Sequence, residues 1–305
     1  MNQKGMHVRS SIAVLALLVG ALLFIGTYTA TPHSPTATAQ GVPASAIGEA
    51  IAAVEETRMQ LASPYTMTPG TETDRGFIVD NVLQADGLND IHYNILVPES
   101  YDASRPTSLF ITLPAEPGLY YQGAGENLRV EEFAFTAQAY DPNMIIVAPQ
   151  PNDWGQDSAD QIVMLTEYLI STYNIDPNRV YLEGYSYGGE TLSLVMGTKP
   201  ELYRAALHCS SQWSGDLEVL AEARVPVRIS LGDDDEFYTV KDAREVVEEL
   251  RALYRAQGLD EEEIDRLVVL DIKDASYFTN PDDQHGNGSP LMAHDPELMG
   301  WLFSQ

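Results

Sequence analysis

The segment Gly184-Tyr185-Ser186-Tyr187-Gly188 places a serine between the apolar run Val180-Tyr181-Leu182 and a helical stretch that starts at Gly189. A Gly-x-Ser-x-Gly turn between strand and helix forces its serine into a strained backbone conformation and lifts the hydroxyl clear of the sheet. Glycine is required at both ends, because without a Cβ the incoming strand and the outgoing helix can approach closely around the turn. Ser186 is therefore a candidate nucleophile. A serine hydroxyl is weakly nucleophilic at neutral pH, so it needs a histidine to take its proton and a carboxylate to orient that histidine. Acyl transfer by such a set uses neither a metal nor an organic cofactor, and none is expected.

The acid candidate is Asp235, in Leu231-Gly232-Asp233-Asp234-Asp235, directly after the apolar run Val227 to Leu231 and before a helix capped by Thr239. Asp233, Asp234 and Glu236 compete with it. The base candidate is His285, in the Gly- and Asn-rich stretch Asp282-Asp283-Gln284-His285-Gly286-Asn287-Gly288, which reads as a flexible loop before the terminal helix. His294 is the rival, although it stands just before Asp295-Pro296-Glu297, a helix start. Tyr185, Tyr187, Trp154 and Trp213 are candidates for the walls of an acyl or aryl pocket.

These residues need a scaffold. Two strand-like runs, Phe77 to Leu83 and Ile91 to Val97, flank the turn residues 85–90 and predict an antiparallel hairpin. Beyond Pro98, apolar strands (108–113, 144–148, 179–182, 204–207, 227–231 and 267–272) alternate with helical patterns over 158–173, 189–198, 240–256 and 296–303. That alternation predicts an α/β fold, with a mostly parallel sheet flanked by helices on both faces and extended by the N-terminal hairpin.

At the N-terminus, Lys4, His7 and Arg9 precede an apolar run from Ile12 to Ile25 and then Ala37-Thr38-Ala39. This is the layout of a secretory signal over 1–39, with an uncleaved anchor as the alternative. Residues 40–76 read as a helix (Val42 to Ala62) and a linker, and 77–305 as one domain of a size that buries a single core. The single cysteine, Cys209, has no partner for an intramolecular disulfide and reads as a buried thiol. A formal net charge of −28 argues against nucleic acid or an anionic membrane as a partner, since phosphate binding needs clustered Lys and Arg. The run Asp260-Glu261-Glu262-Glu263 reads as solvated helix surface.

Several stretches resemble the α/β-hydrolase superfamily, and within it the branch of prolyl-oligopeptidase-like hydrolases and secreted feruloyl-esterase and polyhydroxybutyrate-depolymerase-type esterases. They are Tyr93-Asn94-Ile95-Leu96-Val97-Pro98 ahead of Tyr101, Ile146 to Gln150, Arg179 to Gly189, and Asp295-Pro296-Glu297-Leu298 with Trp301-Leu302-Phe303. In that superfamily the nucleophile, acid and base follow in this order, the acid and the base each at the C-terminal end of a later strand. Ser186, Asp235 and His285 keep the order, and His208, His92, His33 and His7 do not. The resemblance implies a secreted serine esterase acting on a small-molecule or carbohydrate-linked ester. A peptidase is the alternative within enzymes, and a non-catalytic exported binding protein the alternative outside them. One departure stands out. Where such enzymes commonly carry His-Gly after the third strand, this chain reads Leu113-Pro114-Ala115-Glu116-Pro117, and Pro114 has no N–H to donate. The oxyanion hole expected by resemblance is then Tyr187 N–H with Ala115 or Glu116, and loss of one donor costs on the order of 10²-fold in turnover.

Overall fold

The computed structural model describes residues 65–85 and 87–305. The leader read at 1–39 and the helix read at Val42 to Ala62 lie outside them. A ten-stranded sheet organises the described residues. It begins earlier than Phe77: β1 (Tyr65–Thr68) and β2 (Glu72–Asp74), both within the segment read as helix and linker, pair antiparallel with β3 (Phe77–Ala85). The expected hairpin is formed by β3 and β4 (Ile91–Leu96), with Leu83 opposite Ile91. Along β3, Phe77, Val79, Asn81 and Leu83 point inward in strict alternation, as expected of a half-buried antiparallel strand.

The strands β5 (Thr107–Leu113), β6 (Ile145–Gln150), β7 (Ile175–Tyr185), β8 (Ala205–Cys209), β9 (Val227–Gly232) and β10 (Val268–Lys273) run parallel in the order β6-β5-β7-β8-β9-β10, with β4 antiparallel to β6. Every residue of β5 and β6 is buried, because helices cover both faces of the sheet. One face carries α3 (Gln156–Thr172), α4 (Tyr187–Met196), α5 (Leu217–Ala223) and α6 (Val240–Ala256) through Leu165, Leu192, Leu220 and Leu250. The other is covered by the short α1 (Asn127–Val130) and α2 (Phe133–Thr136), by α8 (Gln284–Ala293) and by α9 (Pro296–Phe303), through Leu128, Phe133, Met292 and Leu298.

Helix α7 (Glu261–Leu267) starts in the acidic run read as solvated surface. Asp260 and Glu263 form a reciprocal capping box there, while Glu261 pairs with Arg251 and Arg255. Cys209 is fully buried in β8, where burial pushes its thiol well up. Parallel register sets the ends of neighbouring strands side by side, Leu113 with Gly184, Tyr185 with Cys209 and Gly232 with Lys273, so the loops leaving them share one edge of the sheet.

Candidate active site

Ser186 sits between β7 and α4 with φ 54° and ψ −121°, a left-handed conformation that costs about 1–3 kcal/mol in a residue with a Cβ. The surroundings hold it there. Its N–H donates to Cys209 O at 3.0 Å, and its carbonyl accepts from Gly189 N–H at 2.8 Å and from Ser211 Oγ at 2.6 Å. A Cβ on Gly184 would lie 2.3 Å from Gly188 O, and one on Gly188 would lie 2.1 Å from Leu113 O. Both glycines are thus dictated by backbone packed on backbone, and the second contact presses the end of β5 against the turn. Ser186 occupies the N-cap position of α4, yet its side chain makes no capping bond. Its Oγ lies 3.0 Å from His285 Nε2 instead.

Of the four acidic candidates, Asp235 reaches the imidazole, with Oδ2 3.0 Å from His285 Nδ1 and a fully buried side chain. Its Oδ1 accepts from the Phe237 and Tyr238 N–H groups at 3.0 and 3.1 Å. Burial alone would raise this carboxyl. Its hydrogen bond and attraction to His285, with the two backbone donors, outweigh that and hold it below its ordinary value. The competitors have other partners. Asp233 Oδ1 accepts from Gln284 Nε2 at 2.9 Å, and Asp234 N–H donates to Gln284 Oε1 at 3.0 Å. Glu236 accepts from the backbone N–H groups of Gln284 (2.8 Å) and His285 (2.9 Å).

His285 therefore does not stand in a flexible loop. It lies in the first turn of α8, whose otherwise unpaired N–H groups are taken by Glu236 and, at Gly286, by the cap Asp283. Gln284 ties this turn to the Asp233-Asp234 loop, and it packs so closely that a Cβ on Gly232 would lie 2.1 Å from its Oε1. His294, the rival base, lies at the far end of α8 and pairs with Glu132.

On the opposite side of Ser186, Tyr187 N–H heads α4 and has no protein partner among the described residues. Ala115 differs from expectation. It lines the cleft, but its N–H donates to the Glu131 carboxyl and is not free. Glu116 N–H has no partner among the described residues. Glu131 is 7% exposed, and burial pushes it up to about 8 despite the Ala115 N–H, which favours its charged form. Glu183, fully buried on β7, is raised well above its ordinary value by burial and then by the charge of Glu131, although Thr112 Oγ1 donates to it at 2.6 Å.

A six-strand parallel arrangement with an antiparallel extension, a strained serine between strand and helix, an acid after a later strand and a histidine at the start of a helix beyond the last strand are now in place together. The fold is that of the α/β-hydrolases. Residues 151–213, from α3 through the Ser186 turn to the end of β8, match the model of the "Prolyl oligopeptidase family". Among solved structures, a thermostable esterase is similar at 22% identity over 75% of this chain and 63% of that one, with a TM-score of 0.58. A putative dipeptidyl aminopeptidase IV from Bacteroides ovatus is similar at 15% identity over 79% of this chain and 36% of that one, TM-score 0.53. An acetyl xylan esterase from Aspergillus awamori is similar at 15% identity over 77% of this chain and 99% of that one, TM-score 0.51. The match thus spans less than two thirds of the first two proteins. No curated protein matches the chain.

The cleft above Ser186 has a volume of about 310 Å³ and is walled by Pro117, Val130, Tyr185, Tyr187, Phe237 and Tyr238. The aromatic candidates divide. Tyr185 lines the cleft and also braces the base, donating its hydroxyl to His285 O at 2.6 Å. Trp154 does not reach the cleft directly, but stacks on Tyr187 with ring centres 3.8 Å apart. Trp213 is elsewhere. It packs against buried His208 and donates Nε1–H to Gly215 O at 3.1 Å, away from Ser186. Phe237, exposed beside His285 with ring centres 4.8 Å apart, was not anticipated, although its place two residues after Asp235 on the same strand-end loop was a usable signal. Glu131 had no such signal. It follows α1, an element the apolar pattern does not announce.

Proposed function

We propose that this chain is a serine hydrolase that cleaves carboxylic esters through an acyl-enzyme. The observation that carries the reading is the continuous relay of Ser186 Oγ, His285 and Asp235, with both hydrogen bonds at 3.0 Å and the serine hydroxyl spared from capping its own helix. His285 Nε2 takes the Ser186 proton as Oγ attacks the carbonyl carbon, and Asp235 keeps the opposite proton on Nδ1 and stabilises the imidazolium that forms. Tyr187 N–H faces the oxygen on which negative charge develops. The imidazolium returns its proton to the leaving alcohol, and a water activated by the same histidine then releases the acid from Ser186.

An ester is favoured over a peptide by the small, aromatic-walled cleft and by the likeness to nearly the full length of an acetyl xylan esterase. The prolyl-oligopeptidase match over 151–213 supports the second reading, a peptidase. Export through the 1–39 leader is part of the proposal, and N-terminal sequencing of the exported protein tests it: an intact Met1 refutes cleavage. The activity is tested by intact-mass analysis after exposure to a fluorophosphonate. A single adduct on the wild type, absent in Ser186→Ala and strongly slowed in His285→Ala, is the expected result. A folded wild type that takes no adduct overturns the reading. Turnover of p-nitrophenyl acetate without cleavage of a proline-containing peptide favours the esterase, and the reverse favours the peptidase.

A further inference from the structure

Resting on the Ser186 hydrolase reading, the geometry points to Glu131 as the second oxyanion donor: its carboxylic acid gives a hydrogen bond to the carbonyl oxygen of the bound substrate, opposite Tyr187 N–H. Three observations meet here. The end of β5, which in this fold flanks the hole, offers no donor at Pro114, and the N–H of Ala115 is already committed to Glu131 Oε1. Glu131 lines the same cleft as Ser186, Tyr187 and His285, and no protein group among the described residues bonds its second oxygen. The carboxyl has no cation beside it, since no lysine or arginine among the described residues pairs with it.

Burial opposes its ionisation, and the Ala115 N–H is the one bonded group that favours it. Glu183 and Tyr185 face it from β7, and Glu116, Tyr187, Tyr238 and His285 share the cleft with it. Its chain neighbour Glu132 pairs with His294 instead. Burial accordingly keeps Glu131 neutral up to about pH 8. A neutral carboxyl accepts the Ala115 N–H on one oxygen and carries a proton on the other. That proton strengthens its hydrogen bond as charge develops on the substrate oxygen and stays on Glu131 throughout, so no proton transfer is involved. Once ionised, the same group would set a negative charge against the developing oxyanion and slow the reaction.

The test is the pH dependence of kcat/KM for p-nitrophenyl acetate in the wild type, Glu131→Gln, Glu131→Met and Ser186→Ala, with thermal melts confirming folding at each pH. In the wild type, kcat/KM falls about tenfold per unit above the Glu131 value near 8. Glu131→Gln keeps a permanent N–H donor, so it retains activity within about tenfold at pH 7 and loses the alkaline fall. Glu131→Met has no donor, is lower by about 10²-fold or more, and is also flat at alkaline pH. An alkaline fall that persists in Glu131→Gln, or a Glu131→Met variant as active as Glu131→Gln, overturns the assignment and leaves the Glu116 N–H as the donor. Ser186→Ala separates this failure from that of the underlying reading: turnover retained in that variant removes Ser186, whereas turnover lost there with an unmoved alkaline fall removes Glu131 alone.

Discussion

Glu236→Ala removes the carboxylate that holds the first turn of α8. The Gln284 and His285 N–H groups donate to its two oxygens at 2.8 and 2.9 Å, and these bonds join the Asp235 loop to the histidine backbone. Bonds to a buried charge are worth about 1.5–3 kcal/mol each, but Glu236 is exposed, water replaces it readily, and a helix-cap loss of about 1–2 kcal/mol in total is the better scale. For a domain of this size that corresponds to a Tm lower by roughly 2–8 °C. The larger effect is on geometry. His285 must keep Nε2 within hydrogen-bonding distance of Ser186, and a misplacement of about 1 Å costs about 10²-fold. Steady-state hydrolysis of p-nitrophenyl acetate should therefore show kcat lower by about 10–10²-fold with KM changed no more than about threefold. Glu236→Gln, which keeps one acceptor oxygen, should fall between the two. Asp235→Asn sets the contrast, because disturbing the imidazole tautomer costs about 10⁴-fold in such a relay. A loss of 10⁴-fold in Glu236→Ala at unchanged Tm would mean that this carboxylate acts on the imidazole itself. Unchanged kcat and Tm together would show that the clamp is dispensable.

Three further outcomes are expected. In Gly188→Ala the new methyl meets Leu113 O at 2.1 Å, so overpacking should destabilise the fold by about 1–3 kcal/mol in denaturant titrations and suppress fluorophosphonate labelling; a normally labelled variant would contradict the elbow packing. Buried His208 is held down to about 4 by desolvation, so between pH 6.5 and about 4 the unfolded chain binds a proton that the folded one does not, and stability is lost as pH falls through that window, by up to about 3 kcal/mol. His208→Gln, which keeps a donor for Gln212 O, should show a shallower loss of Tm over that window, and an identical slope would refute the assignment. Trp213→Phe should leave kcat/KM within about twofold, whereas Trp154→Ala, which strips the support from Tyr187, should lower it; equal effects would place Trp213 back at the cleft.

What is local in this molecule was legible in its sequence. The Gly184 to Gly188 turn, the strand before it and the helix after it are consecutive, so the two glycines and the serine declare their geometry through sterics alone. The long apolar runs, and the Thr239 and Asp295 caps, likewise report backbone conformation and burial within a few residues. Side-chain partnerships across the fold were not legible. Asp233, Asp234 and Asp235 are chemically identical and adjacent, and only the loop dihedrals and the packing of Gln284 decide that Asp235 faces His285 while the others brace the same helix. The Gly- and Asn-rich stretch around His285 reads as a loop because its composition disfavours a helix. It is helical because Glu236, 49 residues away, satisfies its first N–H groups. The occupied Ala115 N–H, the removal of Trp213 to another surface and the arrival of Phe237 at the cleft follow the same rule. Periodicity and turn chemistry encode where the backbone goes, whereas the partner of a polar group depends on which distant segment the finished sheet brings within about 3 Å of it.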